Sequence, residues 1–344
     1  MPISAVDSIT PAVEHTKQQL FNRFRISQWT KLAFVGLLAG ELGANGFSRR
    51  NFQIPGHSGI PPQSGWPGSL GIDPALLAAL ITAFVVAGLA IGLIMMYVSS
   101  VMRFVLFDSV VTRECHIRWS WGRRLGPGWR FFVWKLLFIL LVLAAVAVAI
   151  GGPLALAFGK GWFRAPKEHL APLIFGGGLF LIGFLVLVVA AAVIFVLTKD
   201  FVIPQMALED IDAMEGWRRL WPMIKAESGA YAAYILMKIV LAVVAGILIG
   251  VATLLLTLIF VVPTVGFAII AVLTGKGLGL TWNLHTIVAA VVIGCVLLAI
   301  FLYLVSLISV PAIVFFPAYS LYFFADRYPR LKAALYPVPG PMPV

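Results

Sequence analysis

The chain has 344 residues, of which 61% are hydrophobic and 11% are charged, and its mean hydropathy is +1.01. A soluble domain has about 45–50% apolar and about 25% charged residues, so this composition excludes an ordinary soluble protein and predicts an α-helical membrane protein. The net charge of +11 could indicate nucleic acid as the partner. The basic residues flank apolar segments, however, so anionic lipid headgroups are the expected partner and nucleic acid is not.

Six apolar segments are predicted to span the membrane, because a span needs about 20 mostly apolar residues. The first, Trp29 to Phe47, is short and contains Lys31 and Glu41. The second runs from Leu76 to Met102 without a charge. The others cover Phe131 to Phe158, Leu170 to Thr198, Tyr231 to Leu256 and Ile287 to Phe324.

One further apolar piece, residues 258–274, contains Pro263. Two interpretations stay open for it. It is either the overhang of the preceding helix or a re-entrant segment that lines a cavity, where non-helical backbone can be satisfied.

The distribution of positive charge predicts the orientation. Of the 25 Lys and Arg residues, 19 fall on the side that carries both termini and six fall in the opposite loops. Positive residues are enriched in cytoplasmic loops, so both termini are predicted to be cytoplasmic.

The flanks of the spans show an internal repeat with a period near 100 residues. Lys31, Lys135 and Lys238 occupy the same position at the start of the first, third and fifth spans. Phe104-Val105-Leu106 likewise matches Phe201-Val202-Ile203. The prediction is a single all-α membrane domain over residues 1–336, with three parallel two-span copies at about 7–107, 108–204 and 205–317. The Pro-rich tail, residues 337–344, is predicted to be disordered.

A cytoplasmic amphipathic stretch precedes each pair of spans. In the first stretch Val13, Leu20, Phe21 and Phe24 are predicted to share a face, and in the third Met214, Trp217, Leu220, Trp221 and Ile224 do so. The middle stretch is expected to be irregular because of Gly122, Gly126 and Pro127, and it interleaves tryptophans with arginines. Indole rings favour the headgroup level and guanidinium groups bind phosphates, so six arginines are candidate lipid contacts: Arg118, Arg123, Arg124, Arg130, Arg218 and Arg219.

Two segments carry a resemblance to a known family. They are Pro11 to Glu41, PAVEHTKQQLFNRFRISQWTKLAFVGLLAGE, and Phe201 to Trp221, FVIPQMALEDIDAMEGWRRLW. They resemble uncharacterised six-span bacterial membrane proteins, which are similar to the membrane domain attached to some glycerophosphodiester phosphodiesterases. The resemblance implies a bacterial inner-membrane location. The catalytic barrel of those enzymes has no counterpart in this sequence, so their hydrolytic activity is not expected.

No catalytic, cofactor or metal site is expected, because no His or Cys residues have metal-ligand spacing. Glu41 is the one candidate intramembrane polar residue, and it is predicted to lie near the external end of its helix. Arg103, Asp108, Lys199 and Asp200 are interpreted as charges at the cytoplasmic ends of spans two and four. The favoured hypothesis is a non-enzymatic protein that binds or organises anionic lipids. The alternatives are a transporter or channel with a cavity near Glu41 and Pro263, and an accessory subunit of a larger membrane complex.

Overall fold

The computed structural model describes residues 3–22, 25–41, 74–160, 170–277 and 284–336, and every regular element in these ranges is helical. The all-α prediction is therefore confirmed for the described residues. The helices are α1 (Ile9–Phe21), α2 (Ile26–Ala39), α3 (Pro74–Thr112), α4 (Ile117–Gly159), α5 (Leu170–Leu197), a π-helical turn (Thr198–Val202), α6 (Ile203–Glu209), α7 (Ala213–Ala226), α8 (Ser228–Gly277), α9 (Leu284–Ile308), α10 (Val310–Ala325) and α11 (Pro329–Leu335).

Five helical stretches of the described chain are long and apolar enough to cross a membrane, which supports a membrane protein. They are Ala75–Thr112, Ile117–Ala155, Ile174–Glu209, Ser228–Gly275 and Thr286–Ala325. The first predicted span is not among them, because α2 has only 14 residues and ends at Ala39. Its predicted remainder, residues 42–47, lies outside the described residues, as does the tail 337–344. The count of six spans is thus not confirmed.

The helices of the described chain pack together most closely at one end. We call this end the base, and it consists of residues 3–22, 25–41, 98–135, 197–238 and 305–336. There α1 packs against α10, and α3 packs against both α2 and α4. The large fully buried side chains of the described chain are aromatic for the most part, and they include Tyr231, Tyr234, Tyr319, Phe104, Phe131, Phe201, Phe323 and Phe324. Their burial makes the base the hydrophobic core of the fold.

The apolar arms are the remaining parts of the long helices, residues 75–97, 136–155, 174–196, 239–275 and 286–304. Among these residues Thr253 alone is buried inside the protein. Their side chains are apolar on all sides, which is the composition expected of helices that are solvated by lipid.

Pro263 lies inside α8, a helix of 50 residues that is continuous from Ser228 to Gly277. The interpretation of residues 258–274 as a re-entrant segment is therefore wrong, and the segment extends the preceding helix. A proline inside a membrane helix is tolerated when neighbouring groups satisfy the freed backbone.

The middle amphipathic stretch is helical, so the expectation of an irregular segment is also wrong. Helix α4 begins at Ile117 and continues through Pro127 and Gly128. Gly128 lets the backbone of α4 approach Val101 of α3. A Cβ atom at position 128 would lie 2.6 Å from Val101 Cγ2 and 3.2 Å from Val101 Cα. Tertiary packing thus outweighs the poor helix propensity of this segment.

The amphipathic helices do not turn all their apolar residues inward. Phe24 is outside the described residues, and Val13 and Phe21 of the predicted α1 face are exposed. In α7, Leu220 is buried, whereas Met214 and Trp221 are exposed. The buried side of α1 is instead partly polar and consists of Ala12, His15, Thr16, Gln19 and Leu20. The prediction that these residues share a face did not state whether that face meets the protein or the lipid, and in the structure its residues are divided between the core and the surface. The polar side chains of α1 are buried because the base supplies partners such as Tyr322 and the Ser109 carbonyl.

Candidate functional site

The π-helical turn Thr198–Val202 interrupts the transition from α5 to α6 in the base. Trp217 of α7 fixes its start, because the indole Nε1 donates a hydrogen bond to Thr198 Oγ1 at 3.0 Å. Such turns insert one extra residue per turn and are frequent at functional sites. Here the turn brings two consecutive charged residues, Lys199 and Asp200, into the interior.

Glu41 reaches the same place from the end of α2. That helix ends at Gly40, whose φ of +80° lies in the left-handed region that glycine tolerates. The Lys199 ammonium donates to Glu41 Oε2, and Arg103 Nη1 lies 3.8 Å from Glu41 Oε1. Three residues that are far apart in the chain therefore form one buried ion cluster.

Asp200 forms the second half of the cluster. Its Oδ2 accepts hydrogen bonds from the Lys238 ammonium and from the Tyr234 hydroxyl, the latter at 2.9 Å. Asp200 is 4% exposed and Glu41 is 3% exposed, so neither carboxylate is solvated by bulk water. Buried charges of this kind are retained only when they are paired and hydrogen-bonded.

A small cavity of about 40 Å³ opens beside these side chains, and its lining includes Glu41, Arg103, Lys199 and Asp200. The Arg103 side chain is 8% exposed and its Nε and Nη1 atoms have no hydrogen-bond partner. We call the five charged residues of this cluster, Glu41, Arg103, Lys199, Asp200 and Lys238, the ion cluster.

The ion cluster corrects the prediction that Glu41 lies near the external side. Arg103 and Lys199 were assigned to the cytoplasmic ends of their helices, and Glu41 contacts both. Pro263 does not line the cavity beside Glu41. It lies 25 residues beyond Lys238 in α8, which is about 37 Å along a helix with a rise of about 1.5 Å per residue. The predicted single cavity near Glu41 and Pro263 is thus wrong.

Three of the six candidate lipid-contact arginines each bind two other residues, but only Arg124 is buried, whereas Arg130 is half-buried and Arg219 is exposed. Arg124 is 8% exposed and forms a bidentate pair with Asp108. Its Nη1 also donates to the Ala207 carbonyl at 2.6 Å. Arg130 pairs with Asp210 and Asp212, and Arg219 pairs with Glu209 and Glu215.

The other three arginines are exposed on the surface of the base. Arg218 is within 3.3 Å of Glu215 and its side chain is 82% exposed. Arg118 is exposed, and Arg123 places its guanidinium 5.3 Å from the ring centroid of Trp119, which is itself 61% exposed. Next to Arg123 lies a surface pocket of about 400 Å³ whose lining includes Arg124 and Arg130. The predicted basic, tryptophan-rich surface therefore has its accessible part at Arg118, Trp119 and Arg123.

Sequence reasoning missed the partners within the ion cluster. It treated Lys238 only as a landmark of the repeat, although Lys238 is the one charge between Ala230 and Gly275. A single charge within an apolar span needs a partner, so the sequence could have predicted that Lys238 pairs with a carboxylate.

A second buried polar contact joins α1 to the rest of the base. His15 Nε2 lies 2.9 Å from the Val110 carbonyl, and Nδ1 lies 3.1 Å from the Tyr322 hydroxyl. A neutral ring that donates from Nε2 and accepts at Nδ1 satisfies both contacts. Burial and the Arg113 charge lower the pKa of His15 from its ordinary value.

Comparison with known proteins gives a family and no function. No curated protein matches the chain, and no solved structure matches it. The matching family model is described as a family of unknown function, and it gives no link to the membrane domain of glycerophosphodiester phosphodiesterases. Because that model covers residues 3–334, the chain belongs to the family of unknown function DUF7544.

Proposed function

We propose that the protein is a non-enzymatic membrane protein that binds anionic lipids through the base. The observation that carries the proposal is the exposed Trp119 with Arg123 stacked over its ring, beside the pocket of about 400 Å³. The indole supplies an amphipathic surface at headgroup depth, and the guanidinium supplies charge and donors for a phosphate. Lys225 over the exposed Trp221, at 5.5 Å from the ring centroid, repeats the arrangement on α7.

The outward apolar residues of the amphipathic helices support this proposal. Phe21 of α1 is 58% exposed and Met214 of α7 is 72% exposed. A helix of a soluble domain would bury such residues, whereas a helix lying in the membrane interface inserts them among the acyl chains. Both helices belong to the base, so the base would lie at the headgroup level.

The test removes two exposed arginines, Arg123, which lines the pocket, and Arg118, which precedes Trp119. Changing Arg118 and Arg123 to Gln should lower the ratio of anionic to zwitterionic lipid that co-purifies with the protein, because each cation near an anionic bilayer contributes about 1 kcal/mol. The matched control is Lys17→Gln with Arg330→Gln, which removes two exposed cations from α1 and α11. An unchanged lipid ratio in the folded double variant, measured by native mass spectrometry, contradicts the proposal.

The proposal places the base and both termini in the cytoplasm, on the strength of the charge distribution. In a variant that lacks Cys115 and Cys295, a cysteine at Ala334 should not react with an impermeant thiol reagent in intact cells. A cysteine at Lys167, which lies outside the described residues, should react. The opposite labelling pattern would reverse the orientation.

We also propose the threefold repeat with six spans and the likeness to the bacterial six-span family. One correspondence supports the repeat. Lys238 forms an ion pair with Asp200, and Lys135 lies near Arg103, where the two positive charges repel each other. Arg103 and Asp200 both immediately precede the matching Phe-Val-Leu and Phe-Val-Ile triplets. An experimental structure in lipid nanodiscs tests the repeat, because Lys31, Lys135 and Lys238 at unequal depths would contradict it.

Ion transport is the second candidate, and the ion cluster is the observation in its favour. Charged residues in membrane helices mark ion pathways by default. The test measures ion flux into proteoliposomes. A flux that is abolished by Glu41→Gln and unchanged by Arg118→Gln would support transport. Equal flux in empty and protein-containing liposomes would contradict it.

A further inference from the structure

The charges of the ion cluster do not cancel. Arg103, Lys199 and Lys238 are three cations, whereas Glu41 and Asp200 are two carboxylates. Lys135 lies close enough to Arg103 for the two positive charges to repel each other. A buried surplus charge costs several kcal/mol unless a counter-ion compensates it. The cluster can therefore take one more negative charge while all three cations keep their protons.

Arg103 shows where that charge belongs. Its guanidinium remains protonated in proteins, so it cannot relieve the surplus by losing a proton. Two of its nitrogen atoms, Nε and Nη1, are buried and donate to no acceptor. The Phe195 ring lies 5.3 Å from the guanidinium carbon, so one side of the group is apolar. Buried unpartnered donors on a fixed cation are the chemistry of an anion site.

The cavity beside Arg103 limits the size of the anion. Its volume is about 40 Å³, and a single water needs about 10–15 Å³ of such space. The cavity thus has room for a halide ion with one or two waters. Lys199 also lines it, which adds an ammonium group to the site. Glu41 and Asp200 line it too, but each of these carboxylates already accepts a hydrogen bond from a lysine.

We propose that this cavity binds a small inorganic monovalent anion of the halide class, held between Arg103 and Lys199. The anion completes the charge balance of the ion cluster. It joins Arg103 of α3 to Lys199 of the π-helical turn, so its binding stabilises the base as a whole. This site is separate from the lipid surface at Arg118 and Arg123.

The first test is the thermal unfolding of purified wild-type protein in a neutral detergent, with chloride replacing gluconate at constant ionic strength. The Tm should rise saturably, by about 5–10 °C when chloride is about a hundred times its Kd. Bromide should act as chloride does, because the two ions have the same charge and similar size. A Tm that is independent of both ions overturns the proposal.

Two variants change the charge balance in opposite directions. Arg103→Gln leaves two cations and two carboxylates, so the variant should fold and its Tm should no longer depend on chloride. Glu41→Gln increases the surplus, so its Tm should rise more steeply with chloride than that of the wild type. Arg123→Gln is the control and should keep the wild-type response. Chloride dependence that persists in Arg103→Gln contradicts the assignment.

A measurement on the wild-type protein covers the case in which Arg103→Gln does not fold. Crystals soaked in bromide should show an anomalous peak within hydrogen-bond distance of Arg103 and Lys199, and no peak there overturns the proposal.

A separate experiment measures the Tm with short-chain phosphatidylglycerol added instead of chloride. If that lipid stabilises the wild type, Arg123→Gln and not Arg103→Gln should weaken the effect. The reverse result would assign the cavity to a phosphate headgroup and overturn the halide site.

Discussion

Replacing Arg124 with Met should destabilise the base more than any other single arginine change on the middle amphipathic stretch. Arg124 donates to Asp108 Oδ2 at 2.8 Å, to Asp108 Oδ1 at 2.5 Å and to the Ala207 carbonyl at 2.6 Å. Both side chains of the pair are about nine-tenths buried. The change leaves the Asp108 carboxylate buried without its partner, which costs about 3–5 kcal/mol.

The assay is equilibrium unfolding in mixed micelles, supported by thermal unfolding in detergent. A loss of about 3–5 kcal/mol in the free energy of unfolding corresponds to a fall in Tm of about 6–20 °C for a cooperative unit of about 150 residues, which is the size of the base. The control is Arg123→Gln, which removes an exposed cation from the adjacent position and should change stability by less than about 0.5 kcal/mol.

A second variant separates the ion pair from the arginine itself. Changing Asp108 to Leu together with Arg124 to Met removes both charges, so the double variant should be more stable than Arg124→Met alone. If Arg124→Met costs no more than Arg123→Gln, the carboxylate is solvated and the reasoning from burial fails. If the double variant is no more stable than the single one, the cost arises from the lost Ala207 contact and not from the unpaired charge.

Two further predictions concern contacts within the base. Because the pKa of His15 is lowered in the folded protein, the unfolded chain binds the proton more readily, and stability should decrease as the pH falls below about 6.5. His15→Gln should flatten this dependence in Tm measurements between neutral and mildly acidic pH, and an unchanged slope would contradict a neutral buried ring. Gly128→Ala should cost about 1–3 kcal/mol because its Cβ meets the backbone of Val101. Gly126→Ala on the same helix has open space and should be neutral or slightly stabilising in the same unfolding assay, so equal costs for the two would contradict the close packing.

The sequence predicted the helical class and the apolar helices because composition and run length are local properties. It also predicted tryptophans interleaved with arginines in the middle stretch, and Trp119 and Arg123 do lie side by side, although on a helix and not in an irregular segment. It could not distinguish Arg124, which is buried, from Arg123, because that depends on which side of α4 meets α6. The Glu41–Lys199 pair could not be predicted either, because it also depends on how the helices pack. Those residues are 158 positions apart, and the packing of α3 against both α2 and α6 brings them together.

The short length of α2 was the other feature that the sequence did not predict. Its apolar run continues beyond Ala39, so run length alone suggested a span. In the structure Gly40 ends the helix with φ of +80°, and Glu41 finds cations at that point. A charged residue near the end of an apolar run was thus a sign of where the helix stops inside the base, which the charge count could not show.

The contact between the two ends of the chain constrains how the protein is made. Ile3 N donates to the Asp326 carboxylate, and the Tyr319 hydroxyl donates to the Ala5 carbonyl. The N-terminal segment therefore gains its partners only after about 320 more residues have been synthesised, which takes about 15–60 s at typical ribosome speeds. During that time the five apolar helices enter the membrane while α1 can contact α3, through His15 and Gln19, but lacks α10. The base consequently assembles last, and a ribosome that stalls before Val310 releases a chain that is inserted in the membrane but lacks a closed core.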